Sequence, residues 1–275
     1  MIAYPRPAAP KAFARAATKR HKAAAAQARR GRKPDVDDDI WGAHRHVLAA
    51  AQHGKCAYCE RPVGNHFPPV EHVAPRNEVH ALPDDPAAWG TEAHPLLPNI
   101  AAGHQRKAQR VSDWGYWARA YDWRNYVIAC QACNTWKSTI YPLAKRPKQG
   151  WRPGHARARA KDELLLHAFD DDAPWRHFRY DASTGAVAWT SERGKATVGT
   201  CGLHRPSLAQ DRQAILKEVS AACQATRSPS AVLRRFAWDT IIRLGDDARP
   251  YAGVVRSYVE ATLTLSWDQL VARSP

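Results

Sequence analysis

Six cysteines occur in the 275-residue chain, and four of them form two C-x-x-C pairs, Cys56/Cys59 and Cys130/Cys133. Two such knuckles supply four thiolates, the donor set of a tetrahedral structural zinc site. Seventy residues separate the pairs, more than a local zinc ribbon spans, so a shared Zn²⁺ would clip distant segments together. Two other readings stand beside zinc. One is four buried apolar thiols. The other is redox chemistry at a single C-x-x-C, which lacks a thioredoxin-like βαβ context here. Cys201 and Cys223 stand alone and read as small buried side chains.

A metal shared by both knuckles would gather what lies beside them. Glu71-His72 follows the first knuckle. Asn125 precedes the second, and Asn134 follows it directly. A carboxylate can hold a hard divalent cation, an amide oxygen can join it, and an imidazole can take a proton near neutral pH. Arg76, Arg124 and Lys137 flank these positions as candidate phosphate contacts, with plain surface charge as the alternative. Trp114, Tyr116, Trp117, Tyr121 and Trp123 suit base stacking less well than packing. His44, His46, His66, His104 and His204 read as ordinary histidines.

The elements that must position these residues are short. An Ala-rich basic helix is expected over 11–33, ended by Gly31 and Pro34. A second helix is expected to start at Asp37 to Asp39, where acids suit the positive dipole end, with Trp41, Val47 and Leu48 as its stripe and Gly54 as its stop. A short strand is expected around Glu71-His72 and another over Tyr126 to Ala129, with a short helix opening at Asn134. Residues 77–122 read as a long irregular loop, and 144–160 as a basic linker. Phe178 to Tyr180 and Val187 to Trp189 flank the turn signal Ser183-Thr184-Gly185 and predict a hairpin. From Pro206 the chain reads as helical, with three apolar faces: Leu208, Ile215, Leu216 and Val219; Val232, Phe236, Ile241 and Leu244; Tyr251, Val255, Tyr258 and Thr262.

Composition narrows the class. Hydrophobic residues make up 44% and charged residues 24%, ordinary for a globular chain. No apolar run approaches the roughly 18 to 20 residues that span a bilayer, so no membrane is expected. No secretory signal is evident, which predicts a reducing, cytoplasmic setting where paired C-x-x-C motifs suggest metal rather than disulfides. The formal charge is +15. Residues 1–34 carry ten Lys/Arg and no acid, leaving 31 basic against 26 acidic groups in the other 241. Nucleic acid is the natural partner of that arm. A solvated tail and an organelle presequence are the alternatives.

The motif string resembles the HNH endonuclease family. The elements that carry the resemblance are Cys56-x-x-Cys59, Glu71-His72, Asn125 and Cys130-x-x-Cys133-Asn134-x-x-Lys137, over about residues 55–140. A wider resemblance, over about residues 1–215, is to the HNH proteins of bacterial retrons and Septu-type phage defence. It rests on Pro5-Arg6-Pro7, Lys55-Cys56-Ala57-Tyr58-Cys59-Glu60, Tyr121 to Asn125, Tyr141-Pro142-Leu143, and Glu163 to His167 before Asp170-Asp171-Asp172. Two departures are visible. The acid is Glu71, where Asp is common, and the third signature position is Asn134 rather than His.

The resemblance implies an α+β chain with a small ββα-metal core and a four-cysteine zinc site, embedded in a mainly helical chain. It divides the sequence into a basic arm and helix (1–54), the core with its inserted loop (55–143), and a mixed, then helical, region (144–275) that could dock a partner. It implies metal-dependent phosphodiester hydrolysis of nucleic acid, DNA first, in a bacterial anti-phage system. His72 would be the general base, Asn125 a loop or imidazole anchor, and Glu71 with Asn134 the ligands of Mg²⁺ or Mn²⁺. The resemblance implies a nuclease that works beside an ATPase, and since the chain has no G-x-x-x-x-G-K-[ST] loop any ATPase would be another polypeptide. A non-catalytic zinc module that binds nucleic acid or docks a partner is the alternative.

Overall fold

The computed structural model describes residues 1–37, 39–64, 68–90, 108–154 and 161–273. His66 and His104, much of the long loop and the end of the 144–160 segment lie outside them.

Helix α1 (Lys11–Arg29) packs through Phe13, Ala17 and Ala24. A single 3-10 turn at Gly42–His44 leads into α2 (Arg45–Ala51). Strand β1 (Val70–His72) follows, then β2 (Val79–His80), β3 (Arg110–Ser112) and β4 (Tyr126–Ile128). Helix α3 (Gln131–Lys137) leaves directly from β4. The hairpin β5 (Phe178–Tyr180) and β6 (Val187–Trp189) precedes α4 (Glu192–Cys201), α5 (Pro206–Ala225), α6 (Ala231–Leu244), α7 (Ala252–Leu263) and α8 (Trp267–Arg273).

The strands pair as three short antiparallel ribbons: β1 with β4, β2 with β3, β5 with β6. In the first, Glu71 lies opposite Val127 and His72 opposite Tyr126. Side chains alternate across a strand, so the ribbon separates two apolar layers. Tyr126 and Ile128 join Phe13, Trp41, Trp117 and Trp123 in one. Val127 joins the larger one, with the knuckle cysteines, Leu208, Leu216, Val255 and Val259. The C-terminal helices therefore build part of the layer that covers the knuckles. Tyr116, Trp117, Tyr121 and Trp123 are buried packing residues.

Several local expectations change. Helix α3 begins at Gln131, not Asn134, because the Cys130 thiol caps it by accepting from the Cys133 amide. The loop over 77–122 holds the β2–β3 ribbon. The apolar face expected on α6 is also altered. Ile241 and Leu244 are buried, but Val232 and Phe236 are 77% and 70% exposed. Val232 stands nine residues before Ile241, two and a half turns, and so falls on the opposite side of the helix.

Candidate functional site

Both knuckles hang from the end of β4. The Ala57 amide donates to the Ile128 carbonyl at 2.9 Å, two residues before Cys130. Buried Gln52 braces the junction: its amide nitrogen donates to the Lys55 and Ile128 carbonyls, and its oxygen accepts from the Ile128 amide at 2.8 Å. The turn after Cys59 closes through Glu60, which takes a left-handed φ of 63°. Its buried carboxylate accepts from the Gly253 amide and pairs with the Met1 amino group.

These constraints bring the Sγ atoms of Cys56, Cys59, Cys130 and Cys133 within 4.8 Å of one another. Burial pushes the Cys56 thiol up, and hydrogen bonds to Cys130 and Cys133 push Cys59 up. Cys133 is held well below the usual thiol range by hydrogen bonds from the other three sulfurs, with Arg205 adding to the effect. Four clustered sulfurs away from water demand a cation before all can ionise. The set fits zinc, whose ligands here would be the four cysteines. Arg205 completes the surroundings. It is 1% exposed, its Nη2 lies 3.5 Å from Cys133 Sγ, its Nη1 donates to the Cys201 carbonyl, and its Nε has no hydrogen-bond partner among the described residues.

The residues of the second cluster do not all converge. Glu71 and His72 are neighbours on β1 and face opposite layers. The His72 ring packs edge-on to Trp41 at 4.5 Å and Tyr126 at 4.9 Å. Its Nε2 lies 3.1 Å from the Ala120 carbonyl, which also accepts from the Tyr126 hydroxyl at 2.5 Å. The proton therefore belongs on Nε2, and Nδ1 makes no hydrogen bond among the described residues. Burial, with the nearby Arg76 charge, lowers the His72 pKa to about 3, so the ring is neutral at physiological pH.

Glu71 turns towards α3. A carboxylate oxygen lies 2.5 Å from Lys137 Nζ, and that ammonium also donates to the His72 carbonyl at 2.8 Å. Lys137 is fully buried. This corrects its expected role: a lysine sealed against Glu71 is an internal counter-ion, not a surface phosphate contact. Burial raises the Glu71 pKa against the opposing pull of Lys137. Asn134, half-buried one turn before Lys137, makes no side-chain hydrogen bond among the described residues. Asn125 is a clamp. It accepts from the Ala74 amide at 2.8 Å and donates to the Ala74 and Arg119 carbonyls, fixing the chain two residues beyond His72. Arg76 lies over Trp41 and pairs with Asp37 and the Val36 carbonyl. Arg124 is exposed and pairs with Asp122.

Sequence reasoning missed Gln52, Ala120 and Arg205, and placed Lys55 in a motif without giving it a role. Lys55 is buried and donates to the Asp247 and Arg249 carbonyls. Their signals were weak, since each acts through a partner remote in the chain.

No family model matches the chain. It is similar to the Septu protein PtuB of Bacillus mycoides (strain KBAB4), 25% identical over 179 residues. The match takes in 64% of this chain and 51% of the relative, so the chain spans about half the length of the curated relative it matches. Among the described residues, no helix is long and apolar enough to cross a membrane.

Proposed function

We propose that this chain is an HNH-type, metal-dependent endonuclease that hydrolyses phosphodiester bonds of nucleic acid, with DNA as the first substrate to test, and that it serves anti-phage defence. The geometry of His72 carries the reading: Nε2 is tied to the Ala120 carbonyl, which fixes the ring and its tautomer, and Nδ1 is left unengaged to take a proton. The burial that lowers its pKa must be relieved by the bound phosphate for it to act as a base at neutral pH. In the proposed reaction Nδ1 takes a proton from water as its oxygen attacks phosphorus. The P–O3′ bond breaks, and the ends are a 5′-phosphate and, after protonation, a 3′-hydroxyl. Asn125 keeps the loop after His72 in place. Similarity to a Septu protein supports the defence role.

Glu71 and Asn134 are the oxygen donors this reading gives to Mg²⁺ or Mn²⁺. Such a cation would stabilise charge on the phosphate. Hard oxygen donors suit it, and it would compete with Lys137 for the Glu71 carboxylate. The test is cleavage of plasmid and single-stranded substrates by wild type and His72→Ala, with Mg²⁺, with Mn²⁺ and without either. Loss of a placed base is expected to slow cleavage by about 10² to 10⁴. Full cleavage by the variant overturns the base assignment. The reading also includes a separate ATPase subunit, which co-purification from a bacterial host tests.

One observation favours a second reading, a non-catalytic zinc module: Glu71 is already neutralised by Lys137. That module would bind nucleic acid or a partner equally well as His72→Ala, and would cut nothing under any of the three metal conditions.

A further inference from the structure

Nine of the ten cations in residues 1–34 are exposed. The tenth, Arg6, pairs with Asp170. On α1, Lys11, Arg15, Lys19 and Lys22 follow spacings of four, four and three, which place them on one face. The buried stripe of Phe13, Ala17 and Ala24 occupies the opposite face. It holds the helix to the body through Phe13, 5.0 Å from Trp123 and 5.7 Å from Tyr126 between ring centroids.

This arrangement does not serve the helix itself. The first turn carries no acid, although acids there would stabilise the positive end of the dipole. Like charges at i,i+4 repel by about 0.2–0.5 kcal/mol per pair. None of Lys11, Arg15, Lys19 or Lys22 has an ion pair among the described residues. A face built against its own stability, and anchored firmly by aromatic packing, is suited to a polyanion. The neighbouring aromatic rings are buried, so the face has no stacking platform of the kind that single strands use. A helix of 19 residues runs about 28 Å, and a duplex presents one charge per about 1.7 Å of axis.

We propose that the outward face of α1 binds the phosphate backbone of duplex nucleic acid, as a contact separate from the His72 site, since α1 itself stands between that face and Tyr126. The proposal deepens the nuclease reading by naming a substrate-holding surface, and its test does not depend on cleavage. Residues on this face raise affinity and leave the chemical step unchanged.

The experiment uses the full chain carrying His72→Ala, without added magnesium, and a fluorescent 20-base-pair DNA duplex titrated at several salt concentrations. A second protein adds Lys11→Ala, Arg15→Ala, Lys19→Ala and Lys22→Ala. These exposed sites accept alanine without loss of helix, and a circular dichroism melt confirms equal folding. The slope of log affinity against log salt is expected to fall by about 0.9 for each phosphate that is no longer neutralised, roughly 3 to 4 in all. An unchanged slope and affinity overturn the proposal, as does tighter binding of a single strand of the same length that depends on the same four residues. A duplex RNA arm distinguishes the two sources of backbone; loss of binding in the variant with either duplex upholds the assignment. Duplex binding through α1 by a wild-type chain that cuts neither alone nor with a co-purified ATPase subunit would retain this surface and sink the nuclease reading. Cutting with an unchanged salt slope would do the reverse.

Discussion

The Lys137 ammonium lies 2.5 Å from the Glu71 carboxylate, with both side chains almost wholly out of water. Removing one partner of a buried pair leaves an uncompensated charge, at a cost of about 3–5 kcal/mol. Lys137→Met is therefore expected to lower stability by that order in a urea melt. If Glu71 is also a cation ligand, millimolar Mn²⁺ will restore part of the loss, because a ligand that binds only the native state stabilises it. Destabilisation with no response to Mn²⁺ removes Glu71 from the metal-binding role.

His72 makes stability depend on pH with a definite sign. Its pKa of about 3 in the fold lies below the ordinary value near 6.5, so the unfolded chain binds the extra proton between those limits. Its contribution is complete above pH 6.5 and is lost as pH falls towards 3. By pH 5 the loss is about 2 kcal/mol. The difference in unfolding free energy between wild type and His72→Gln, measured by denaturant melts from pH 7.5 to 5, should shrink by that amount. A constant difference would contradict a buried neutral imidazole.

The four-cysteine cluster, if it holds zinc, gives a prediction for Arg205. Groups that surround metal ligands commonly change metal affinity by about 10- to 100-fold. Arg205→Met should release zinc to a chromogenic chelator that much more readily, and Arg205→Lys should recover part of the retention. Cys133→Ser should lose the metal and much of the cooperative melt, because structural zinc binding is coupled to folding. Equal retention by wild type and Arg205→Met would make the arginine a packing residue.

The two sides of α6 can be told apart by mutation. Phe236→Ser, on the open side, should change stability by less than about 0.5 kcal/mol. Ile241→Ala, fully buried, should cost about 2–5 kcal/mol. Similar costs at both sites would mean that Phe236 is covered in solution.

Local signals in the sequence carried far in this chain. Gly185 at φ 71° turns the β5–β6 hairpin where Ser183-Thr184-Gly185 suggested it. The four cysteines gathered as their spacing suggested, and the strand ahead of the second knuckle stands at Tyr126–Ile128. What the sequence hid was partnership. Lys137 reads as a surface cation until the fold brings Glu71, 66 positions earlier, against it. Ala120 anchors His72 through a carbonyl, which any residue type could supply. On α6, periodicity named apolar residues without revealing which side faced a neighbour.

The bracing of the first knuckle has a consequence for how the chain is made. Cys56 and Cys59 leave the ribosome early, and Cys133 follows only after a long delay. Even then the knuckle is not finished. Lys55 awaits the carbonyls of Asp247 and Arg249, and Glu60 awaits the amide of Gly253. At synthesis rates of about 5–20 residues per second, the nascent chain spends roughly 6 to 24 s with four sulfurs in place and two charges still wanting their final partners. Any metal captured in that interval would sit in a half-built cage, and the site would reach its mature form only as the C-terminal helices emerge and close over it.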